Sequence, residues 1–175
     1  MIEWFTMESI NELINKPFLE LILQADKIRK ENFDSNLEVC NIINAKSGSC
    51  NQDCKFCAQS SFHSTNIISY PLKSKQEIVD AAVNAKNIGA KRFGIVTSGN
   101  KLTSSELEVI VEAVKTIKNE LDILVCASLG CLSYSDLNQL KKVGVSRYHH
   151  NIETSRDFYS KIVSTHCFSD RINTI

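Results

Sequence analysis

Phe93-Gly94-Ile95-Val96-Thr97, closed by Ser98-Gly99-Asn100, is the stretch whose surroundings decide the fold. A short apolar run rich in β-branched residues and ended by turn formers reads as a buried strand. Downstream, Thr103-Ser104-Ser105-Glu106 offers a capping box, and Leu107, Ile110, Val111, Val114 and Ile117 recur at helical spacing. Ile123-Leu124-Val125-Cys126-Ala127 reads as the next strand, and Leu137, Leu140 and Val143 as a helix ended by Gly144. Val145 to Ile152 reads as a further strand, with a helix starting at Ser155. Upstream, Ile78, Ala82, Ala85 and Ile88 mark a helix ended by Gly89. Before it, Val39-Cys40-Asn41-Ile42-Ile43 reads as a strand that ends at Lys46-Ser47-Gly48-Ser49. Continuous apolar strands alternating with helices argue for an α/β fold, a parallel sheet covered by helices.

Four strands fit in this chain, whereas a closed TIM-type (β/α) barrel has eight in about 250 residues. The expectation is a partial barrel of about four strand–helix units over residues 37–175, the first half of the whole. Residues 1–36 read as an N-terminal helical cap. There Ile10, Leu13 and Ile14 mark one helix, Asn15-Lys16-Pro17 breaks it, and Leu21, Ile22, Ala25 and Ile28 mark a second, with Pro17 in its first turn. Arg171 to Ile175 lies in a helical pattern without a stop signal. The chain is therefore expected to be part of a longer barrel, inactive by itself, and prone to self-association through an open apolar strand edge.

Composition narrows the class. Hydrophobic residues are 43% and charged residues 23%, ordinary globular usage that excludes disorder as the main state. Lys plus Arg and Asp plus Glu are 20 each, so the neutral chain has no bulk electrostatic attraction to nucleic acid or an anionic membrane. The uncharged run from Ile123 to Ser135 is too short to span a bilayer. Met1-Ile2-Glu3-Trp4 lacks the basic and apolar regions of a signal peptide, which points to the cytoplasm. In a reducing compartment, seven cysteines favour metal ligation or catalysis over disulfides.

Cys50, Cys54 and Cys57 stand apart from the others in spacing C-x3-C-x2-C. Three thiolates on one loop can hold three irons of a [4Fe-4S] cluster and leave the fourth open, where ferredoxins use four cysteines to saturate every iron. An open coordination position is what a metal needs to bind substrate. The competing reading is a zinc site, for which His63 is the only nearby fourth ligand. The loop follows the first strand of the β/α run, and barrel active sites form at strand C-terminal ends.

These residues resemble the radical S-adenosylmethionine superfamily, whose signature is C-x3-C-x-aromatic-C, with Phe56 in the aromatic slot. Within it the chain resembles the biotin synthase family. The stretches that carry the likeness are Ala45-Lys46-Ser47-Gly48-Ser49-Cys50, Cys54-Lys55-Phe56-Cys57-Ala58-Gln59-Ser60, Lys91-Arg92-Phe93, Ala127-Ser128-Leu129-Gly130 and His150-Asn151-Ile152-Glu153-Thr154-Ser155. Asn15 to Leu21 resembles that family's N-terminal helix. The resemblance implies a [4Fe-4S] cluster on Cys50, Cys54 and Cys57, S-adenosylmethionine as cofactor, and radical-driven sulfur insertion into dethiobiotin. It also implies an electron donor such as flavodoxin or ferredoxin, and a homodimer at full length. The same-class alternatives are a hydrogenase-maturase or a methylornithine-type mutase; the alternative of another class is a non-catalytic zinc module.

By the same resemblance, Lys46 would lie near the ureido oxygen of dethiobiotin, and Asn151 would hydrogen-bond both substrate and S-adenosylmethionine. Glu153 would hold the ribose hydroxyls, where the family usually has Asp, and Arg171 would pair with the methionine carboxylate. The bland readings are a solvated surface lysine for Lys46 and a helix-surface arginine for Arg171. His149 and His150 neighbour each other on an expected strand, so they face opposite ways and do not easily share an ion, with His150 the better site-lining residue. Cys40 reads as an apolar core thiol.

A second cluster, [2Fe-2S], is the family's sulfur donor. Cys126 matches one of its cysteines, but Gly94 stands at the position of another and has no side chain to ligate with. Either a variant auxiliary cluster forms, for which Cys131 is a candidate ligand beside Cys126, or the chain belongs to a related branch. The retained Lys46 and Asn151 favour the variant cluster.

Overall fold

A computed structural model describes residues 6–175. They divide into two compact units that meet between Leu37 and Glu38. The first unit holds the two expected helices, α1 (Met7–Ile14) and α2 (Phe18–Asn32). Thr6 caps α1 by accepting from the Ser9 N–H at 3.1 Å. Pro17 takes the N-cap of α2, one position before the first turn expected of it.

The second unit runs β1 (Cys40–Lys46), α3 (Lys75–Asn87), β2 (Arg92–Thr97), α4 (Ser104–Glu120), β3 (Leu124–Ser128), α5 (Tyr134–Lys142), β4 (Val145–Tyr148), α6 (Arg156–Ile162) and α7 (Phe168–Ile172). The four strands are parallel and pair in the order β1-β2-β3-β4. Each helix that follows β1, β2 and β3 starts with a reciprocal capping box: Ser74 with Glu77, Thr103 with Glu106, and Ser133 with Asp136. Each box satisfies two backbone donors that the first helical turn would otherwise leave orphaned.

Alternate strand residues face opposite ways. Phe93 and Ile95 of β2 and Val125 and Ala127 of β3 point toward the helices and are fully buried against Ile78, Ala82, Ile110, Val114, Ile117 and Leu140. The other parity, Ile42, Gly94 and Cys126 in register across β1, β2 and β3, forms the concave face. Parallel register thus puts the core on one side of the sheet and leaves the other for chemistry.

β1 ends at Lys46 as expected, with Asn44 and Lys46 pairing with Val96 and Thr97 across a bulge. Three local expectations shift. β4 stops at Tyr148 rather than Ile152; its last sheet contact is the His149 N–H to the Ala127 carbonyl at 2.8 Å. Ile88 closes α3 as its C-cap and is exposed, not part of the core face. The helix from Ser155 breaks into α6 and α7, and Asn173 to Ile175 lie past the second. The break has a cause: the amides of Ser164 and Thr165, which would continue the helical ladder, donate to the Asp53 carboxylate instead.

Candidate functional site

The cysteine loop leaves the C-terminal end of β1 through Gly48 and Ser49, both in the left-handed region (φ 72° and 52°). A Cβ on Gly48 would stand 1.9 Å from Ser69 Oγ, so only glycine fits this turn. Gln59 Oε1 accepts from the Gly48 N–H, and Ser98 Oγ donates to the Gly48 carbonyl at 2.8 Å, which ties the loop to the end of β2. Within the loop the Cys50 N–H donates to Gln59 O at 3.0 Å, the Ser61 N–H to Cys50 O at 2.8 Å, and the Cys57 N–H to Cys54 O at 3.0 Å. Cys50 and Cys54 are buried and Cys57 is half-buried.

The structure brings the three thiols together around one cavity of about 150 Å³, lined also by Phe56, Gln59, Ser98, Asn100, Glu153 and Arg171. Burial pushes the Cys54 thiol up; the Arg171 charge pulls it back, and the neighbouring Cys57 and Cys50 push it up again. Bound as thiolates, three sulfurs on one loop carry charge that a cationic centre would offset. Among the described residues, no three His, Cys, Asp or Glu side chains gather closely enough to hold a single ion. An iron–sulfur cubane asks for a wider spread, since each thiolate takes a different iron. The three thiols therefore fit a cluster.

Glu153 and Arg171, expected on one cofactor, line this same cavity. Glu153 has φ 71°, a left-handed conformation that costs a non-glycine residue about 1–3 kcal/mol and collects at functional sites. Arg171 donates from Nε to Tyr159 Oη at 3.2 Å and from Nη2 to His166 Nε2 at 3.2 Å. Asn151 is exposed in the segment between β4 and α6. Lys46 is no solvated surface lysine: its Nζ pairs with Glu106 Oε1 at 2.6 Å. Burial pushes the Glu106 carboxyl up, but the Lys46 ammonium and the Thr103 amide outweigh it, so the net shift is downward.

On the concave face, Cys126 is 3% exposed, and its neighbours correct the reading of Cys40. Cys40 is exposed, not a core thiol, and it stands beside Cys126. Burial raises the Cys126 thiol first, and the Cys40 thiol raises it further by charge and hydrogen bonding, while Arg92 and Arg147 pull it down. Arg92 is held by Glu38 at 2.8 Å and by Ser146 Oγ at 3.1 Å. Gly94 lies between: a Cβ there would stand 3.5 Å from Cys126 Sγ and 3.3 Å from Ile42 Cγ1. Two thiols and two guanidiniums around an empty side-chain position fit an anionic iron–sulfur group. Cys131 is elsewhere, donating to Asn100 Oδ1 at 3.5 Å with His150 Nε2 at 3.9 Å. The missed signal was strand parity: Cys40 shares the concave face with Gly94 and Cys126.

The chain is similar to known proteins along nearly its whole length. Curated biotin synthases from Thermotoga petrophila, Clostridium perfringens and Clostridium tetani are 44%, 45% and 47% identical over 166, 170 and 162 residues. Those stretches cover 95%, 97% and 92% of this chain but 54%, 53% and 50% of the relatives, so the chain spans about half the length of the proteins it matches. Among solved structures, HydG, a maturase of the [FeFe]-hydrogenase, superposes with a TM-score of 0.77 over 98% of this chain and 40% of its own, at 20% identity, a likeness of fold. The model of the Radical SAM superfamily matches residues 44–175, from the end of β1 through α7, and the chain belongs to that superfamily.

Proposed function

We propose that the protein acts as a biotin synthase, inserting sulfur into dethiobiotin at the expense of S-adenosylmethionine. The observation that carries the reading is 44–47% identity to biotin synthases across more than nine-tenths of the chain, in a site with two separate sets of thiols. A [4Fe-4S] cluster, once bound, supplies the electron that cleaves S-adenosylmethionine to the radical that takes hydrogen from the substrate. Cys50, Cys54 and Cys57 would hold that cluster, and Phe56 would cover its exposed side. Arg171 would meet the carboxylate of the methionine group with the donors that Tyr159 and His166 leave free, and Glu153 would accept from the ribose hydroxyls. Lys46, freed from Glu106 or shared with it, would donate to the ureido oxygen, and Asn151 would close over the substrate.

Cys40 and Cys126 would hold part of the auxiliary cluster that supplies sulfur, with Arg92 and Arg147 balancing its charge. Gly94 leaves room for it, and Cys40, one strand over, provides the thiol that position 94 lacks. The setting would be the cytoplasm, with flavodoxin or ferredoxin as electron donor and a homodimer as the working form; among the described residues no helix is long and apolar enough to cross a membrane. The test is anaerobic reconstitution of the full-length polypeptide, then dithionite, S-adenosylmethionine and dethiobiotin, with both products followed by mass spectrometry. Biotin and 5′-deoxyadenosine together are expected. Deoxyadenosine without biotin would reassign the substrate, and neither product from a cluster-loaded protein would overturn the reading.

A further inference from the structure

The residues between and beside the cluster cysteines make a second set of contacts that the radical chemistry does not use. Asp53, next to Cys54, receives every donor of one turn 111 residues further along the chain. The Ser164 N–H stands 2.9 Å from Oδ1 and 3.1 Å from Oδ2, the Thr165 N–H 3.1 Å from Oδ1, and the Thr165 hydroxyl 2.9 Å from Oδ1. The Ser164 hydroxyl donates to Oδ2, and the Asp53 N–H donates back to Thr165 Oγ1 at 3.2 Å. On the other side of Cys54, the Lys55 N–H donates to the Ile162 carbonyl at 2.9 Å. Gln52 Oε1 faces His166 Nδ1 at 2.7 Å.

The last contact leads on to the cofactor end of the cavity. A guanidinium only donates, so His166 Nε2 accepts from Arg171 and the ring proton lies on Nδ1, aimed at Gln52. One hydrogen-bonded path therefore joins the loop that carries the three cysteines to the arginine that lines the same cavity.

We propose that Asp53 is a positioning residue: its carboxylate latches the cysteine loop to the Ile162–His166 segment, so that the cluster ligands and Arg171 are set as one unit. The proposal rests on the reading of Cys50, Cys54 and Cys57 as cluster ligands. Four converging donors need two acceptor oxygens and a negative charge, and they hold the Asp53 carboxyl well below the ordinary carboxylate range. Asparagine keeps one acceptor oxygen but loses the charge, and its Nδ2 faces the Ser164 N–H that Oδ2 accepts from, so the charge-assisted set is weakened. Beyond geometry, a fixed anion beside Cys54 lowers the reduction potential of a cluster held there.

The test compares wild type, Asp53→Asn and the double variant Ser164→Ala/Thr165→Val in the full-length, cluster-loaded protein. Amide exchange over residues 162–167, S-adenosylmethionine affinity and the cluster's midpoint potential are the readouts. For Asp53→Asn, exchange about tenfold faster, affinity about tenfold weaker and a higher potential are expected, because a charge-assisted contact set is lost. The potential reports the lost charge, whereas S-adenosylmethionine affinity reports the setting of Arg171, which a contact that only supported the fold would leave unchanged. The double variant keeps both amides and the charge, so an intermediate loss of exchange protection at wild-type potential is expected; it serves also if Asp53→Asn does not fold. Wild-type exchange and affinity in either variant would overturn the latch. If wild type itself binds no iron, the cysteine reading fails, and the exchange comparison in the metal-free chain still decides the latch.

Discussion

Alanine at position 94 separates the auxiliary pocket from the rest of the site. Gly94 lies in register with Ile42 and Cys126, and an added Cβ would stand 3.3 Å from Ile42 Cγ1, 3.5 Å from Cys126 Sγ and 3.8 Å from the Asn41 carbonyl oxygen. The backbone there is not in the left-handed region, so alanine suffers no strain, and the stiffer unfolded chain contributes about 0.4–1 kcal/mol of stability. Against this, Ile42 must give by a few tenths of an ångström, which its 63% exposure permits. The net effect on stability is within about 1 kcal/mol, a Tm change of about 2–4 °C at most. Metal binding has no such freedom. A thiolate-bound transition metal sits about 2.3 Å from its sulfur, and a methyl 3.5 Å from the Cys126 sulfur takes up space beside it on the concave face. Gly94→Ala should keep the iron of the radical cluster and its cleavage of S-adenosylmethionine, yet lose the additional iron and biotin formation. Iron analysis and Mössbauer spectra of the reconstituted full-length protein measure this. A variant with wild-type iron content and spectrum would refute the placement of the auxiliary group.

Cys40→Ala should lose the same additional iron as Cys126→Ala, while Cys131→Ala retains it; the reverse order, read by iron content, would return Cys131 to the auxiliary site. Thr97 Oγ1 is buried with no hydrogen-bond partner among the described residues, so Thr97→Val should hold or raise stability, by up to about 1–3 kcal/mol in thermal denaturation; a clear loss would mean the hydroxyl has a partner. Burial, and after it the Arg171 charge, lower the His166 pKa from 6.5. The unfolded chain then binds more protons than the folded one, so stability is lost as pH falls through about 6.5 toward the folded value. Denaturant titrations at a series of pH values should show that slope, and His166→Gln should flatten it; an unchanged slope in the variant assigns it to another group.

The β/α alternation was legible because it rests on local signals: Phe93 to Thr97 and Ile123 to Ala127 are apolar runs, and Gly89 and Gly144 follow the helices before the first and after the second. Ser74 and Ser133 carried the same capping signal as Thr103 and were equally open to reading. The three-cysteine loop was legible too, since its cysteines lie within a few residues of one another. Cys40 was not, because its role depends on strand register: taken alone, a cysteine in an apolar strand reads as core. The break between α6 and α7 was hidden for a related reason. Nothing in Val163-Ser164-Thr165 forbids a helix, and what stops it is a carboxylate more than a hundred residues earlier in the chain.

Register also sets the distance between the two thiol sites. On the concave face, Ile42, Gly94 and Cys126 form one layer, and Asn44, Val96 and Ser128 the next toward the strand C-terminal ends. Residues two apart along a strand are separated by about 6.6 Å. Cys126 therefore sits about two layers, or about 13 Å, beneath the end of β1 where the cysteine loop leaves, and Cys40, paired with Arg92, lies one layer deeper. A parallel sheet enforces this spacing because each strand's depth is fixed by its neighbours, and slipping one strand by a single residue would turn Cys126 into the helix-facing core. The scaffold's contribution is thus a fixed depth between the two sets of thiols.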